Sequence, residues 1–163
     1  EKGHVGWSPT VYPLAREEHM AHAENEVTIN RPASEVYAFL ADGLNNPRWR
    51  SGVQGIALKE GSPGESGAVY SQTLTGPKGR PIQGDYRITD AGPGKLLGFQ
   101  VVAGPARPTG SYTLTEEGNS TRVRFSLDLK LPVLMRVFDS LVTKTMESEV
   151  AQLRKLKEVI EAG

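Results

Sequence analysis

The sequence contains no cysteine, and its only histidines are His4, His19 and His22, all close to the N-terminus. The absence of cysteine excludes disulfide bonds and thiolate chemistry. From about Glu24 onward the chain has no imidazole either, which removes the commonest general base and the commonest transition-metal ligand. Its glycine-rich loops lack the spacing of phosphate-binding and dinucleotide-binding motifs. We therefore expect no metal site and no cofactor.

Charge of one sign is not concentrated in any stretch, and 19 Lys and Arg balance 19 Asp and Glu. This balance argues against nucleic acid or an anionic membrane as a partner. No apolar run approaches the ~20 residues of a membrane-spanning helix, and no signal-peptide core precedes the first strand. The composition thus predicts a cytoplasmic protein without membrane insertion, either a monomer or a homodimer.

The first 23 residues show no usable periodicity and contain Pro9 and Pro13. The pair His19-Met20 is compatible with a junction between a vector-derived leader and a start codon, and a native extension fits equally well. We place a single domain over residues 24–163, which is long enough to bury most of its apolar surface without disulfides or metals.

The middle of the chain predicts short strands joined by turns rich in glycine and proline. Arg31-Pro32 is expected to open one short helix, and Asn46-Pro47 a second helical turn. The spacing leaves no room for helices between the later strands, so the sheet should be antiparallel, with one covered and one solvated face. The expected strands cover residues 26–30, 53–59, 68–75, 81–90, 96–103, 111–115 and 121–131.

The end of the chain, residues 133–162, contains neither Gly nor Pro and predicts one helix roughly 45 Å long. Thr145 and Glu149 fall within its apolar stripe and are predicted to be buried polar groups that need partners. A curved sheet is the only element large enough to cover such a helix. At 100° per residue the stripe consists of Leu134, Met135, Phe138, Val142, Leu153, Leu156 and Ile160.

The order of these elements resembles the START-like, or SRPBCC, superfamily, and most of all its polyketide cyclase/dehydratase-type branch. The opening resembles it in the helix from Glu35 to Asp42 and in Asn46-Pro47-Arg48-Trp49. The ending resembles it in Glu149, Leu153, Leu156-Lys157 and Glu161. With six strands between them, these motifs extend the resemblance over residues 24–163. They are specific for the fold but not for an activity.

The resemblance implies an α+β helix-grip fold, in which a seven-stranded antiparallel sheet wraps around the long C-terminal helix. Two short helices after the first strand close one side of a hydrophobic cavity. The implied mouth lies at residues 75–80, 104–110 and 131–133 and includes Pro77, Arg107, Pro108 and Pro132. The glycines and prolines of these segments are equally compatible with loops that open and close the cavity and with ordinary turns.

Periodicity alone assigns the apolar residues of the helix to the core, whereas the resemblance makes its first half the cavity wall. We predict a cavity of at least roughly 300 Å³. A buried tyrosine must place its hydroxyl, and a cavity offers a ligand as partner. The predicted lining is Trp49, Tyr70, Gln72, Tyr86, Phe99, Tyr112, Met135, Phe138, Leu141, Val142 and Met146.

Three classes of function remain open. The first is a carrier or sensor that binds a small hydrophobic or aromatic molecule resembling a lipid, polyketide or hormone. The second is a polyketide cyclase/dehydratase-type enzyme, for which Tyr70, Gln72, Tyr112 and Glu149 are candidate groups. The third is a protein-interaction module, which an exposed apolar patch without a sizeable cavity would indicate. For Glu149 we favour a structural role, bound to backbone or an arginine, over a functional carboxylate in the cavity.

Overall fold

The computed structural model describes residues 18–163, which form one antiparallel sheet and a C-terminal helical region. The sheet has the strand order β1-β8-β7-β6-β5-β3-β2, and a short β4 pairs with β3. Its strands are β1 (Glu18–Ile29), β2 (Val53–Glu60), β3 (Val69–Thr75), β4 (Pro81–Gln83), β5 (Tyr86–Gly92), β6 (Leu96–Val101), β7 (Thr109–Glu117) and β8 (Ser120–Pro132).

The first strand is longer than the alternation pattern predicts. β1 pairs with β8 along its whole length, from Glu18 opposite Pro132 to Ile29 opposite Thr121. Residues 18–23 therefore belong to the sheet, and the boundary predicted at residue 24 lies too late. The sequence signal is weak there because the residues facing inward, Ala21 and Ala23, are small. The rest of the extension or leader predicted over residues 1–23, from residue 1 to residue 17, lies outside the described residues.

Two short helices follow β1, as predicted: α1 (Ala33–Ala41) and α2 (Asn46–Trp49). Pro32 occupies the N-cap position of α1, where its missing N–H costs no helical hydrogen bond. Asp42 ends α1 and its carboxylate accepts a hydrogen bond from the Leu44 N–H at 3.1 Å. This turn directs α2 toward the concave side of the sheet.

The strand predicted over residues 81–90 is interrupted at Gly84 and Asp85 and forms β4 and β5. The buried Asp85 carboxylate accepts a hydrogen bond from the Gln72 N–H at 3.0 Å, and so replaces a backbone acceptor of the ladder. The sheet consequently has eight strands rather than seven, with the predicted helix-grip topology otherwise confirmed.

The C-terminal helix is not continuous. A 3₁₀ segment (Val133–Phe138) precedes α3 (Asp139–Ala151), and a break at Gln152 separates α3 from α4 (Leu153–Glu161). At the break Gln152 N–H donates to the Glu149 carbonyl at 3.2 Å, an i to i−3 bond of the 3₁₀ type. None of the helices in residues 18–163 is long and apolar enough to span a membrane.

The buried stripe of the helical region begins later along the chain than predicted. Leu153, Leu156 and Ile160 are buried in the core as predicted, but in α3 the buried residues are Met146 and Val150. Thr145 is exposed, which corrects its prediction as a buried polar group, and its hydroxyl donates to the Leu141 carbonyl. The stripe was phased on a continuous helix, so its N-terminal part was wrong: Leu134, Met135 and Phe138 are all exposed.

The core lies between the concave face of the sheet and the helices, and aromatic rings fill much of it. Trp49 packs edge-on against Tyr112 and Phe125, with ring centroids 6.2 and 6.3 Å away. Tyr112 stacks on Phe125 at 4.5 Å, and Tyr70 stacks on Tyr86 at 5.2 Å. This aromatic layer packs on the side of the core that lies opposite α3.

Candidate functional site

A cavity of about 370 Å³ lies between the sheet and α3. This volume falls within the range of small-molecule sites and exceeds the predicted minimum. The sheet supplies most of its wall, and α3 supplies the roof. Its apolar lining includes Leu97, Phe99, Val101, Leu127, Leu129 and Met146.

Most of the predicted lining residues border this space. The seven that do so are Gln72, Tyr86, Phe99, Tyr112, Leu141, Val142 and Met146. The other four do not. Trp49 is buried behind Tyr112, and Tyr70 lies under Tyr86. Met135 and Phe138 are 43% and 49% exposed, because the 3₁₀ segment carries them away from the sheet.

The mouth lies between two loops and the first turns of α3. Thr75 borders it before the β3–β4 loop, and Pro105, Ala106 and Pro108 border it from the β6–β7 loop. Pro77, Arg107 and Pro132, which were predicted at the mouth, are exposed and do not line the cavity. Leu141, Val142 and Thr145 take the place predicted for residues 131–133.

A network of neutral polar groups occupies the side of the cavity next to α2. The Asn46 amide donates hydrogen bonds to the Gln72 side-chain oxygen at 3.2 Å and to the Tyr86 hydroxyl at 3.1 Å. The Gln72 amide in turn donates to the Gly84 carbonyl at 3.2 Å. All three side chains are buried, so these bonds hold the wall of the cavity in one arrangement.

An ion pair joins α2 to α3 at the same end of the cavity. Arg50 Nη2 donates to Glu149 Oε2 at 2.9 Å, and their side chains are 12% and 32% exposed. One residue further on, Ser51 N–H donates to the Gln152 side-chain oxygen at 2.9 Å. The predicted arginine partner of Glu149 is therefore present, although Glu149 is only partly buried and also borders the cavity.

Arg50 was missed by the sequence analysis. It ends a four-residue helix and has no periodic context, and its partner is 99 positions away. Its Nε is buried without a hydrogen-bond partner among the described residues. The guanidinium places a fixed positive charge at the edge of an otherwise apolar space.

Tyr112 presents the one tyrosine hydroxyl of the cavity wall that makes no hydrogen bond within residues 18–163, since Tyr86 is bonded to Asn46. Burial raises the pKa of this hydroxyl well above its ordinary value; the Arg50 charge opposes the shift and the Glu149 charge adds to it. The hydroxyl thus stays protonated at neutral pH. It can donate a hydrogen bond to an oxygen atom of a molecule in the cavity.

Tyr70, a candidate group for the enzyme, has a structural role instead. Its hydroxyl donates to the Ala41 carbonyl at 3.4 Å and accepts from the Gly64 N–H at 3.1 Å. The ring is fully buried and does not reach the cavity. These two bonds connect β3 to the end of α1 and to the β2–β3 loop.

Charged groups elsewhere do not assemble into a metal site within residues 18–163. His19 and His22 lie in β1 and pair with Asp139 and Asp128 at 3.0 and 2.7 Å. Neither imidazole borders the cavity. The polar groups that border the cavity are tyrosine and threonine hydroxyls, side-chain amides, Arg50 and Glu149.

Solved structures share this architecture. A Zhui aromatase/cyclase from Streptomyces sp. R1128 superposes with a TM-score of 0.69 at 20% identity, over 88% of this chain and 94% of that one. A START superfamily protein from Mycobacterium smegmatis gives 0.68 at 16% identity, over 86% and 97%. TTHA0849 from Thermus thermophilus gives 0.68 at 20% identity, over 86% and 97%. At these identities the similarity establishes the fold.

No curated protein sequence matches the chain. The family profile described as polyketide cyclase/dehydrase and lipid transport, however, matches residues 20–161, nearly the whole described region. The match begins within β1, which agrees with the strand extending before residue 24. The chain therefore belongs to the polyketide cyclase/dehydrase and lipid transport family, within the SRPBCC superfamily.

Proposed function

We propose that the protein binds a small apolar or aromatic molecule that carries an oxygen at one end, and acts as its carrier or sensor. The observation that carries this proposal is the asymmetry of the cavity. Its walls are apolar over most of their area, whereas Tyr112 and Arg50 both border the cavity where they pack against Trp49, at 6.2 and 6.0 Å from its ring. A ligand oxygen on that side would give Tyr112 a hydrogen-bond partner.

The volume limits the size of the ligand. A cavity of about 370 Å³ lies near the lower limit for small-molecule sites, so two or three fused rings fit better than a long acyl chain. The hydrogen-bonded wall formed by Asn46, Gln72 and Tyr86 is preorganised and adds shape selectivity. Met146 on α3 has a flexible side chain that can adapt to different ring outlines.

A direct test uses 2-naphthol, which has two fused rings and one hydroxyl, and naphthalene, which lacks the oxygen. Isothermal titration calorimetry should show binding of 2-naphthol that is at least roughly fivefold tighter than binding of naphthalene, the value of one buried hydrogen bond. Val142→Trp should block the cavity and abolish binding. Ser148→Trp, on an exposed position of the same helix, should leave it unchanged. Binding that survives Val142→Trp would place the ligand elsewhere and contradict the proposal.

Native mass spectrometry of protein purified from its own host would identify the natural ligand. A bound small molecule, released on collisional activation and absent from Val142→Trp, is the expected result. Absence of any copurified molecule, together with no binding of 2-naphthol, would refute ligand binding as the function.

A cyclase/dehydratase-type enzyme is the second candidate, and one observation favours it. The hydroxyl of Tyr112 and the guanidinium of Arg50 border the cavity on the side of Trp49, against which both residues pack. There they would stabilise negative charge on a ligand carbonyl oxygen. Incubation of the copurified molecule with fresh protein separates the two functions. Loss of one water from its mass would show dehydration, and an unchanged mass with a changed chromatographic retention would show cyclisation, which only rearranges bonds. A molecule unchanged in both mass and retention would support a carrier or sensor.

A further inference from the structure

Most of the strongly exposed apolar side chains of residues 18–163 lie in one place. The 3₁₀ segment Val133–Phe138 contains no buried residue, and Leu134 and Val137 are 90% and 80% exposed. Leu141, one turn further along in α3, is 65% exposed. A cluster of this kind is characteristic of a surface that contacts another apolar phase. We call residues 133–138 and Leu141 the apolar ridge.

The apolar ridge lies beside the mouth of the cavity. It leads directly into α3, and its member Leu141 borders the cavity together with Val142. Pro105 and Ala106, from the β6–β7 loop, border the same opening and are also exposed. Whatever covers the ridge therefore also faces the entrance.

The charged residues of the two mouth loops and of the 3₁₀ segment all have one sign. The β3–β4 loop (residues 76–80), the β6–β7 loop (residues 102–108) and the 3₁₀ segment contain four charged residues, Lys78, Arg80, Arg107 and Arg136. All four are exposed, and none forms an ion pair with another described residue. The nearest acidic residue along the chain, Asp139, is paired with His19 at 3.0 Å.

This local charge of four contrasts with a net charge of zero for the whole chain. The linear sequence shows no basic footprint because the four residues come from three separate segments, which only the fold brings to one end. The expectation that an anionic membrane is not a partner thus rested on the linear distribution of charge.

We propose that the apolar ridge and the four basic residues dock the protein on an anionic lipid surface, with the mouth of the cavity facing the lipid. Leu134 and Val137 would enter the interfacial layer, and the cations would lie at the level of the phosphates. The contact is peripheral, since no helix within residues 18–163 is long and apolar enough to span the bilayer. An apolar ligand would pass between bilayer and cavity without crossing water.

Charge complementarity selects lipid over a second copy of this chain. A symmetric dimer through the same surface would place the four cations of one copy against the four of its partner, which is repulsive. An anionic bilayer instead offers a negative counterpart to every cation. Docking is independent of which ligand the cavity holds, so its test does not depend on the proposed function.

The experiment is vesicle cosedimentation of the full chain, with vesicles of phosphatidylcholine alone and vesicles containing about 30% phosphatidylglycerol. We expect binding to the anionic vesicles only, weakened by added salt. Lys78→Gln with Arg136→Gln should weaken binding by roughly fivefold per charge removed. Leu134→Ser with Val137→Ser should weaken it to a similar extent, and all these side chains are exposed, so folding is preserved.

Matched controls use exposed residues away from the mouth. Arg154→Gln on α4 removes one charge, and Leu44→Ser after α1 removes one exposed apolar side chain; both should bind vesicles as the parent does. Equal binding by the Lys78→Gln, Arg136→Gln double variant and the parent would overturn the proposal, as would no binding to anionic vesicles. Sedimentation velocity provides a further test. A parent dimer that dissociates in the Leu134→Ser, Val137→Ser double variant would assign the apolar ridge to contact with a second copy, and would also overturn the proposal.

Discussion

Arg50 and Glu149 form an ion pair at 2.9 Å that connects the end of α2 to the last turn of α3. The pair lies next to the break at Gln152, whose side chain accepts a second hydrogen bond from Ser51 N–H. The two contacts hold the small-helix region against the point where the C-terminal helix changes direction. They fix both the roof of the cavity and the position of the guanidinium at its edge.

Glu149→Gln should lower stability, because the mostly buried Arg50 charge loses its carboxylate. The partial exposure of Glu149 screens the pair, so we expect the free energy of unfolding to fall by about 1–2 kcal/mol. Urea denaturation measures this change. Glu158→Gln, which removes the exposed partner of Lys155, is the control and should change stability by less than about 0.5 kcal/mol. Affinity for 2-naphthol should change little; a large loss of affinity at unchanged stability would show a functional carboxylate instead.

The order of elements was predictable from the sequence because it depends on local signals. Alternation identified β8, Pro32 identified the start of α1, and the absence of Gly and Pro identified a helical C-terminus. The break at Gln152 was not predictable, since no helix-breaking residue marks it and the hydrogen bond from Ser51 N–H to the Gln152 side chain forms only in the fold. The 3₁₀ segment before α3 was not predictable either, and a helical stripe continued through it placed the apolar ridge against the sheet.

The site was predictable where it depends on strand alternation and not where it depends on pairing across the fold. Tyr86, Phe99 and Tyr112 follow the inward face of their strands and line the cavity. Arg50 carries no local signal, because a buried arginine is recognisable only with its partner. The cluster of basic residues at the mouth likewise exists only after folding.

Tyr112→Phe should reduce ligand affinity without reducing stability. Its hydroxyl has no hydrogen-bond partner among the described residues, so its removal leaves no group of the protein unpaired. Affinity for 2-naphthol should fall by roughly fivefold to tenfold, the value of one hydrogen bond, when measured by calorimetry. Affinity for naphthalene should not change.

Tyr70→Phe serves as the opposite case. It removes the hydroxyl bonded to Ala41 and Gly64, so the free energy of unfolding should fall by about 1–2 kcal/mol while ligand affinity is preserved. If Tyr70→Phe and Tyr112→Phe had the same effect on affinity, the assignment of one hydroxyl to the core and the other to the cavity would be wrong.

His22 should make stability depend on pH. Its protonated imidazole donates from Nδ1 to the Asp128 carboxylate at 2.7 Å and from Nε2 to the Glu24 carboxylate at 3.2 Å. These hydrogen bonds, Asp128 first and Glu24 second, raise its pKa. Because the pKa of His22 is higher in the folded protein than in the unfolded chain, protonation of its imidazole stabilises the fold. This stabilisation is complete at pH values below the ordinary pKa near 6.5, and it is lost as the pH rises through the pKa of the folded state. The difference in urea midpoint between the parent and His22→Gln should therefore be larger at about pH 5.5 than at about pH 8.5. Because the site is exposed, the difference should be small and should shrink in high salt; a difference that grew with pH would contradict this assignment.

Gly110→Ala should close part of the cavity from below. A Cβ at Gly110 would lie 2.1 Å from the nearest atom of the Phe99 ring, so the ring has to move, and Phe99 borders the cavity. We expect a loss of about 1–3 kcal/mol in the free energy of unfolding, as for other overpacked cores, together with weaker binding of 2-naphthol. Gly55→Ala is the matched control: Gly55 also lies in a strand, and its Cβ would meet nothing within 4 Å, so stability and binding should be preserved. Unchanged binding of 2-naphthol by Gly110→Ala would show that the displaced Phe99 ring does not contact the ligand. Phe99 would then not belong to the binding site.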